Sequence, residues 1–243
     1  MAPEGPSRTA SQWASYEVHR RRSRRGPPAE RPCATAPQSV VGRESEAIPT
    51  RREQIERPAM MPNGLDYHPQ FVSPAEADAL LGHVDAAPWR EDLRRRVQHY
   101  GFRYDYRARA VDPADRIGPL PFWLADLAER LAADGIFDRP PDQVIVNEYQ
   151  PGQGIAPHVD RQPCFGPTVA TLSLGCAISM QLDRGAGTPR TEIRLAAGSL
   201  LVLTGEARAA WRHGIAARKA DVVDGRRIPR TRRLSITFRT VGR

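Results

Sequence analysis

The sequence predicts a mainly β protein, an antiparallel sandwich or barrel with two helices packed outside it. Two observations carry that expectation. After residue 140, short runs rich in Val, Ile, Leu and Thr recur: QVIVNEY, TVATLSLG, AISMQL, TEIRL, SLLVLTG and RLSITFR. These suit a pleated, half-buried surface, and turn residues such as RGAGTP and AAG separate them. Ahead of them lie two segments with helical period. No internal repeat is visible.

The first helix is read in SPAEADALLGHV. Ser73 supplies the N-cap, Pro74 the first helical position and Glu76 the return bond of a capping box, with Ala77, Leu80, Leu81 and Val84 on one face. The second is read in PFWLADLAERLAADG, where Leu124, Leu127, Ala128 and Leu131 recur at helical spacing and Gly135 gives the stop.

Up to about Arg57 the chain is Pro, Ser, Ala and Arg, with the run HRRRSRR from His19 to Arg25. Such a composition cannot bury enough apolar surface to offset its ordering entropy, so residues 1–60 are expected to be a disordered basic tail and 61–243 the folded domain. Met60 or Met61 is an alternative translational start. At 243 residues, one substantial core is the expectation.

Charge is positive, 36 Lys+Arg against 28 Asp+Glu, and Lys219 is the sole lysine. Guanidinium favours planar, bidentate partners, so phosphate is a candidate neighbour; coding bias toward arginine is the plainer explanation. Cys33, Cys164 and Cys176 are too few and too scattered for a disulfide framework or a cysteine zinc site. No apolar run reaches the ~20 residues of a membrane span. A cytoplasmic monomer is expected.

Chemistry enters at HVD, residues 158–160. On an extended segment His158 and Asp160 share a face while Val159 points away. A third ligand on a neighbouring strand, for which His213 is the candidate, would complete two histidines and one carboxylate, the set that leaves open positions on Fe(II). By itself His-x-Asp is weak evidence, because the spacing recurs by chance. In RRLSITFR, the period of two places Arg233, Ser235, Thr237 and Arg239 on one face and Leu234, Ile236 and Phe238 on the other.

Taken together, NEYQPGQGIAPHVD, SLLVLTGEARAAWRHGI and RRLSITFR resemble the AlkB-like family of Fe(II)- and 2-oxoglutarate-dependent dioxygenases over roughly residues 65–243. The resemblance implies a double-stranded β-helix, or jelly roll, with flanking helices. It implies His158, Asp160 and His213 as metal ligands, and Asn147, Tyr149, Arg233 and Arg239 around 2-oxoglutarate, with Arg233 on the distal carboxylate and Arg239 supporting Asp160. It also implies O2 as cosubstrate, succinate and carbon dioxide as products, and hydroxylation of a C–H bond.

The Arg94–Ala110 stretch, RRRVQHYGFRYDYRARA, interleaves arginine with aromatic residues, a mixture able to stack a base and hold phosphates. It resembles the family's nucleotide-recognition lid, at about residues 89–112, with Arg96, His99, Tyr100, Arg103 and Tyr104 as substrate candidates and Arg208 and Trp211 at the entrance. An amphipathic hairpin covering the barrel is the alternative for this stretch. The implied activity is oxidative dealkylation of nucleobases in DNA or RNA. Alternatives are a tRNA wobble-uridine hydroxylase-like oxygenase, although no methyltransferase or RNA-recognition module accompanies it, and a non-catalytic jelly-roll module binding nucleic acid. A zinc hydrolase using the same triad would leave Arg233 and Arg239 unexplained.

Overall fold

The structure is a computed structural model that describes residues 61–242 apart from Asp92. The expected tail, residues 1–60, and Cys33 lie outside the described residues. Two antiparallel sheets form the core. The larger contains β1 (Leu65–His68), β2 (Val97–Tyr100), β3 (Gln143–Tyr149), β5 (Phe165–Gly175), β8 (Leu200–Leu203) and β12 (Arg233–Val241), in the order β1-β8-β5-β12-β3-β2. The smaller contains β4 (Ile155–His158), β6 (Ile178–Asp183), β7 (Thr191–Leu195) and β9 (Arg212–Ile215), in the order β4-β9-β6-β7. A separate ribbon pairs β10 (Ala220–Val223) with β11 (Arg226–Pro229). The fold is the expected mainly β jelly-roll class.

Every residue of β3 is buried, and eight of the nine in β12, because the large sheet is covered on both faces. One face carries Val144, Val146, Ala170, Leu172, Leu174, Leu234, Ile236 and Phe238 against helices α1 (Pro74–Ala86) and α2 (Phe122–Ala133). The other turns toward the small sheet, where Leu201, Leu203, Ile178, Met180, Leu182 and Ile215 pack together.

Both helices follow their sequence signals. Ser73 Oγ accepts from the Glu76 amide at 3.2 Å, and the Ser73 amide donates to Glu76 Oε2 at 2.8 Å. In α2, Leu124, Leu127, Ala128 and Leu131 are all buried, and Gly135 sits at φ 72° just after the helix. SLLVLTG, expected as strand throughout, instead ends its strand at Leu203, and Gly205–Ala209 form a short helix, α3. Gly205 adopts φ 46°, which breaks the extended run. Of the described residues, no helix is long and apolar enough to cross a membrane.

Replacing Leu234, fully buried between β12 and the helices, by alanine should cost about 2–5 kcal/mol. Ser73→Ala should cost only about 1 kcal/mol. Denaturation midpoints at constant slope would check both; equal costs would contradict this layering.

Candidate active site

Pairing between β4 and β9 assembles the first part of the site. His158 is the direct register partner of His213, and their ring centroids lie 4.5 Å apart. Asp160 follows two residues after His158, with His158 Nε2 3.5 Å from Asp160 Oδ1. One ligand atom from each of the three lies within 4.8 Å of the others. His158 Nδ1 meets the Ala156 carbonyl at 2.9 Å. A carbonyl only accepts, so Nδ1 carries a proton, and this bond fixes the ring with Nε2 turned toward Asp160.

The electrostatics favour the ligating forms. Burial alone would raise the Asp160 carboxyl, but the paired Arg239 guanidinium and the His158 contact outweigh it and hold the group well below the usual carboxylate range. Burial pushes the His213 imidazole down to about 4, against the pull of Asp160, so it stays neutral. Arg239 Nε donates to Asp160 Oδ2 at 2.8 Å, and its Nη1 to Gln143 Oε1 at 3.3 Å. Arg208 grips the same residue from the backbone side, Nη1 donating to the Asp160 carbonyl at 2.6 Å. Two nitrogens and one carboxylate oxygen, one of the imidazoles already oriented by its second nitrogen, form a donor set that could hold Fe(II).

Arg233 stands further along the same face of β12. It is 1% exposed, its Nη2 donates to Ser173 Oγ at 2.9 Å, and its Nε and Nη1 have no hydrogen-bond partner. Burial lowers this guanidinium to about 10, so it is still a cation at neutral pH. A buried cation with two open donors is costly unless an anion completes it. The adjacent inter-sheet pocket, about 50 Å³, is walled by Asn147, Tyr149, Thr171, Ser235, Thr237 and His213 among others. Asn147 Oδ1 accepts from Arg95 Nε at 2.8 Å, which leaves its amide N–H groups as donors. A small dianion reaching from the triad toward Arg233 would complete the two open donors.

Outside the triad a larger cavity of about 260 Å³ opens, lined by Tyr104, Tyr106, Arg95, Arg109, Arg161 and Phe165 together with His158 and Asp160. Tyr104 stacks on Phe165 with centroids 5.8 Å apart and meets Tyr106 edge-on at 5.2 Å. His99 supports both from behind: its Nδ1 accepts the Tyr104 amide at 3.1 Å, and its Nε2 lies 3.3 Å from Tyr106 Oη.

Several residues expected at the substrate face elsewhere. Strand β2 pairs Val97 with Asn147 and His99 with Ile145, so odd positions face the site, whereas Gln98 and Tyr100 oppose Val146 and Val144 on the helix side. Tyr100 accordingly packs edge-on against Trp123, and Arg96 forks onto Glu148 at 2.7 and 2.8 Å. Arg95, one place away, is the arginine that reaches the cavity; the sequence run RRR gives no register, and a shift of one exchanges faces. Arg103 lies away from the outer cavity beside Asp115 at 3.5 Å. Arg208 is buried beneath Asp160 rather than at the entrance, and Trp211 packs in the inter-sheet core. Of the substrate candidates, Tyr104 alone lines the outer cavity. Gln143, Ser173 and Phe165 went unremarked in the sequence, although alternation along their strands could have found them.

A family model described as the 2OG-Fe(II) oxygenase superfamily matches residues 64–239. An Arabidopsis thaliana protein named "Alkylated DNA repair protein ALKBH8 homolog" is 37% identical over 73% of this chain and 58% of its own length, so the chain spans little more than half of that relative. The Danio rerio protein "Probable RNA/DNA demethylase ALKBH6" is 31% identical over 74% of this chain and 86% of its own. A solved structure, "The structure of OsALKBH1", superposes with a TM-score of 0.54 at 18% identity, covering 74% of this chain and 98% of that one, a likeness of fold. The chain belongs to the 2OG-Fe(II) oxygenase superfamily and is an AlkB-like dioxygenase whose family uses Fe(II), 2-oxoglutarate and O2.

Proposed function

We propose that the protein oxidatively dealkylates alkylated nucleobases in DNA or RNA. The observation that carries this reading is the outer cavity, where two tyrosine rings and four arginines, Arg239 among them, open onto His158 and Asp160. A base offers a flat π face for Tyr104 and Tyr106, and the backbone phosphates of its strand offer partners for Arg95, Arg109 and Arg161. Such a base must be extruded or single-stranded to reach the triad. The names carried by the Arabidopsis and zebrafish relatives support the same class.

In this reading His158, Asp160 and His213 hold Fe(II), while Arg233, with Ser173 and Asn147, holds 2-oxoglutarate. Bound iron, keto acid and O2 supply the oxidising equivalent that hydroxylates an N-alkyl carbon, and the resulting hemiaminal expels an aldehyde. The protein's part is placement. Arg239 locks the Asp160 carboxylate in one rotamer, Arg208 fixes its backbone, and Met180, Leu201, Leu203 and Ile215 keep the inter-sheet pocket dry. Residues 89–112 act as the lid over the base. Free Cys164 and Cys176 suit a reducing cytosol, and we take the working form to be a monomer.

Incubation with methylated DNA, methylated RNA and wobble-modified tRNA, followed by mass spectrometry, tests the proposal. Loss of the alkyl group with matching succinate is expected. Addition of one oxygen to a wobble uridine without alkyl loss would establish the hydroxylase reading, and absence of succinate with every substrate would point to a binding module.

His158→Ala should abolish succinate formation with an unchanged melting temperature; retained turnover would refute its role. Arg233→Met should raise the 2-oxoglutarate requirement about 100-fold, yet leave the ligand-free protein as stable or more so, because an incompletely partnered buried charge is removed. A large drop in ligand-free stability would contradict that. Tyr104→Ala should raise KM for a methylated oligonucleotide about 10–100-fold, the worth of one stacked base, with 2-oxoglutarate affinity intact; equal loss of both would show a collapsed site instead.

A further inference from the structure

We propose that the β10–β11 ribbon, with the cations between it and the outer cavity, is a docking track for the backbone of a single-stranded nucleic acid. This rests on the substrate reading above. The ribbon pairs only with itself. All four residues of β11 are exposed, and the turn places Asp224 at φ 49° and Gly225 at φ 74°, the two positive angles of a tight hairpin.

An isolated two-stranded ribbon is marginal in water, and this one is held by a buried anchor. Asp221, 1% exposed, accepts from Arg230 Nε at 3.0 Å and Nη2 at 2.7 Å and from Arg218 Nε at 2.8 Å, and it faces the Ser179 amide of β6 at 3.4 Å. Arg230 Nη1 also donates to the Ala216 carbonyl at 2.7 Å. Burying a carboxylate with guanidinium partners carries a large desolvation cost. None of these groups touches the triad or the inter-sheet pocket. What the anchor accomplishes is a fixed pose for an exposed ribbon.

That pose displays charge. Arg226 and Arg227 are exposed, and Val222, the register partner of Arg227, is 66% exposed beside it, offering an apolar surface to a sugar. Lys219 precedes the ribbon with its stem running against Gly152. The Gly152 amide bonds the Arg218 carbonyl at 3.2 Å, and Gln153 Nε2 bonds the Arg94 carbonyl at 2.8 Å. Next in sequence, Arg95 enters the outer cavity. Arg95, Arg94, Lys219 and Arg227 therefore lead from the cavity wall to the Val222 face of the ribbon across the neutral loop 150–154, and Arg226, one residue nearer the turn, projects from the opposite face, where a chain rounding the ribbon's tip meets it. Acids near the track include exposed Glu91 ahead of Arg94, Asp224 in the turn and Glu192, the last engaged by Gln181 Nε2 at 3.0 Å and Arg218 at 3.7 Å. A polyanionic chain complements this track, and a strand whose target base is in the cavity must run out past its wall.

The test is fluorescence anisotropy with the iron-loaded full chain and a methylated single-stranded 15-mer across a salt series, comparing the native protein with the Arg226→Glu/Arg227→Glu double variant. Expected are about tenfold weaker binding at low salt and a log–log salt slope flatter by about 1.4, from two lost contacts of ~0.7 each. The melting temperature and 2-oxoglutarate affinity should not move. Unchanged affinity and slope would overturn the proposal and leave the ribbon for another partner. Binding does not require turnover, so the two readings fail separately. Ribbon-dependent binding without dealkylation keeps the track and removes the chemistry; dealkylation with ribbon-independent binding does the reverse.

Discussion

Alternation along β12, enforced because neighbouring side chains of a strand project to opposite faces, divides the molecule into a helix-covered apolar layer and a polar pocket between the sheets. Leu234, Ile236 and Phe238 join the layer that carries α1 and α2. Arg233, Ser235, Thr237 and Arg239 face the other way. Since β12 lies between β3 and β5, its register also sets theirs: Asn147 stands opposite Ser235, and Ser173 opposite Ser235 from the other side. A slip of one residue would bury the arginines among the helices and turn leucines onto the pocket.

Buried charge in that pocket is tolerated only where it is answered. Asp160 is answered within the protein by Arg239, with His158 and His213 beside it. Arg233 is answered only in part, by one serine hydroxyl. The asymmetry is the main physical reason to read the pocket as a ligand site: a fully satisfied network would serve stability, whereas open donors on a buried cation reserve space for an anion. The Asp221–Arg230 pair shows the contrasting case, closed on itself and structural.

Much of the fold and of the inner site was legible because each signal was local. The Ser73 capping box, the apolar face of α2 and the period of RLSITFR each arise within a dozen residues and need no knowledge of the rest of the chain. His158 and Asp160 are two apart and so could be paired on a face. What escaped the sequence was register and depth. Nothing in RRRVQHY tells which arginine meets Tyr149: Arg96 and Tyr100, expected at the substrate, lie on the helix side, whereas Arg95 lies over the Tyr149 ring and His99, expected with them, is on the site's face. Arg208 looked like an entrance residue because arginines are mostly exposed; its burial follows from α3, started where Gly205 turns the chain.

The central claim is that one pocket binds a ferrous ion and a keto acid together, each completing the other's site. Anaerobic titration tests it most directly: Fe(II) and 2-oxoglutarate are added in either order while the visible charge-transfer absorbance of a chelated keto acid is followed. The account predicts a saturable band, one per protein chain, that requires both components and is lost when either His158 or Arg233 is replaced. Absence of the band, or 2-oxoglutarate binding with the same affinity whether or not iron is present, would contradict it.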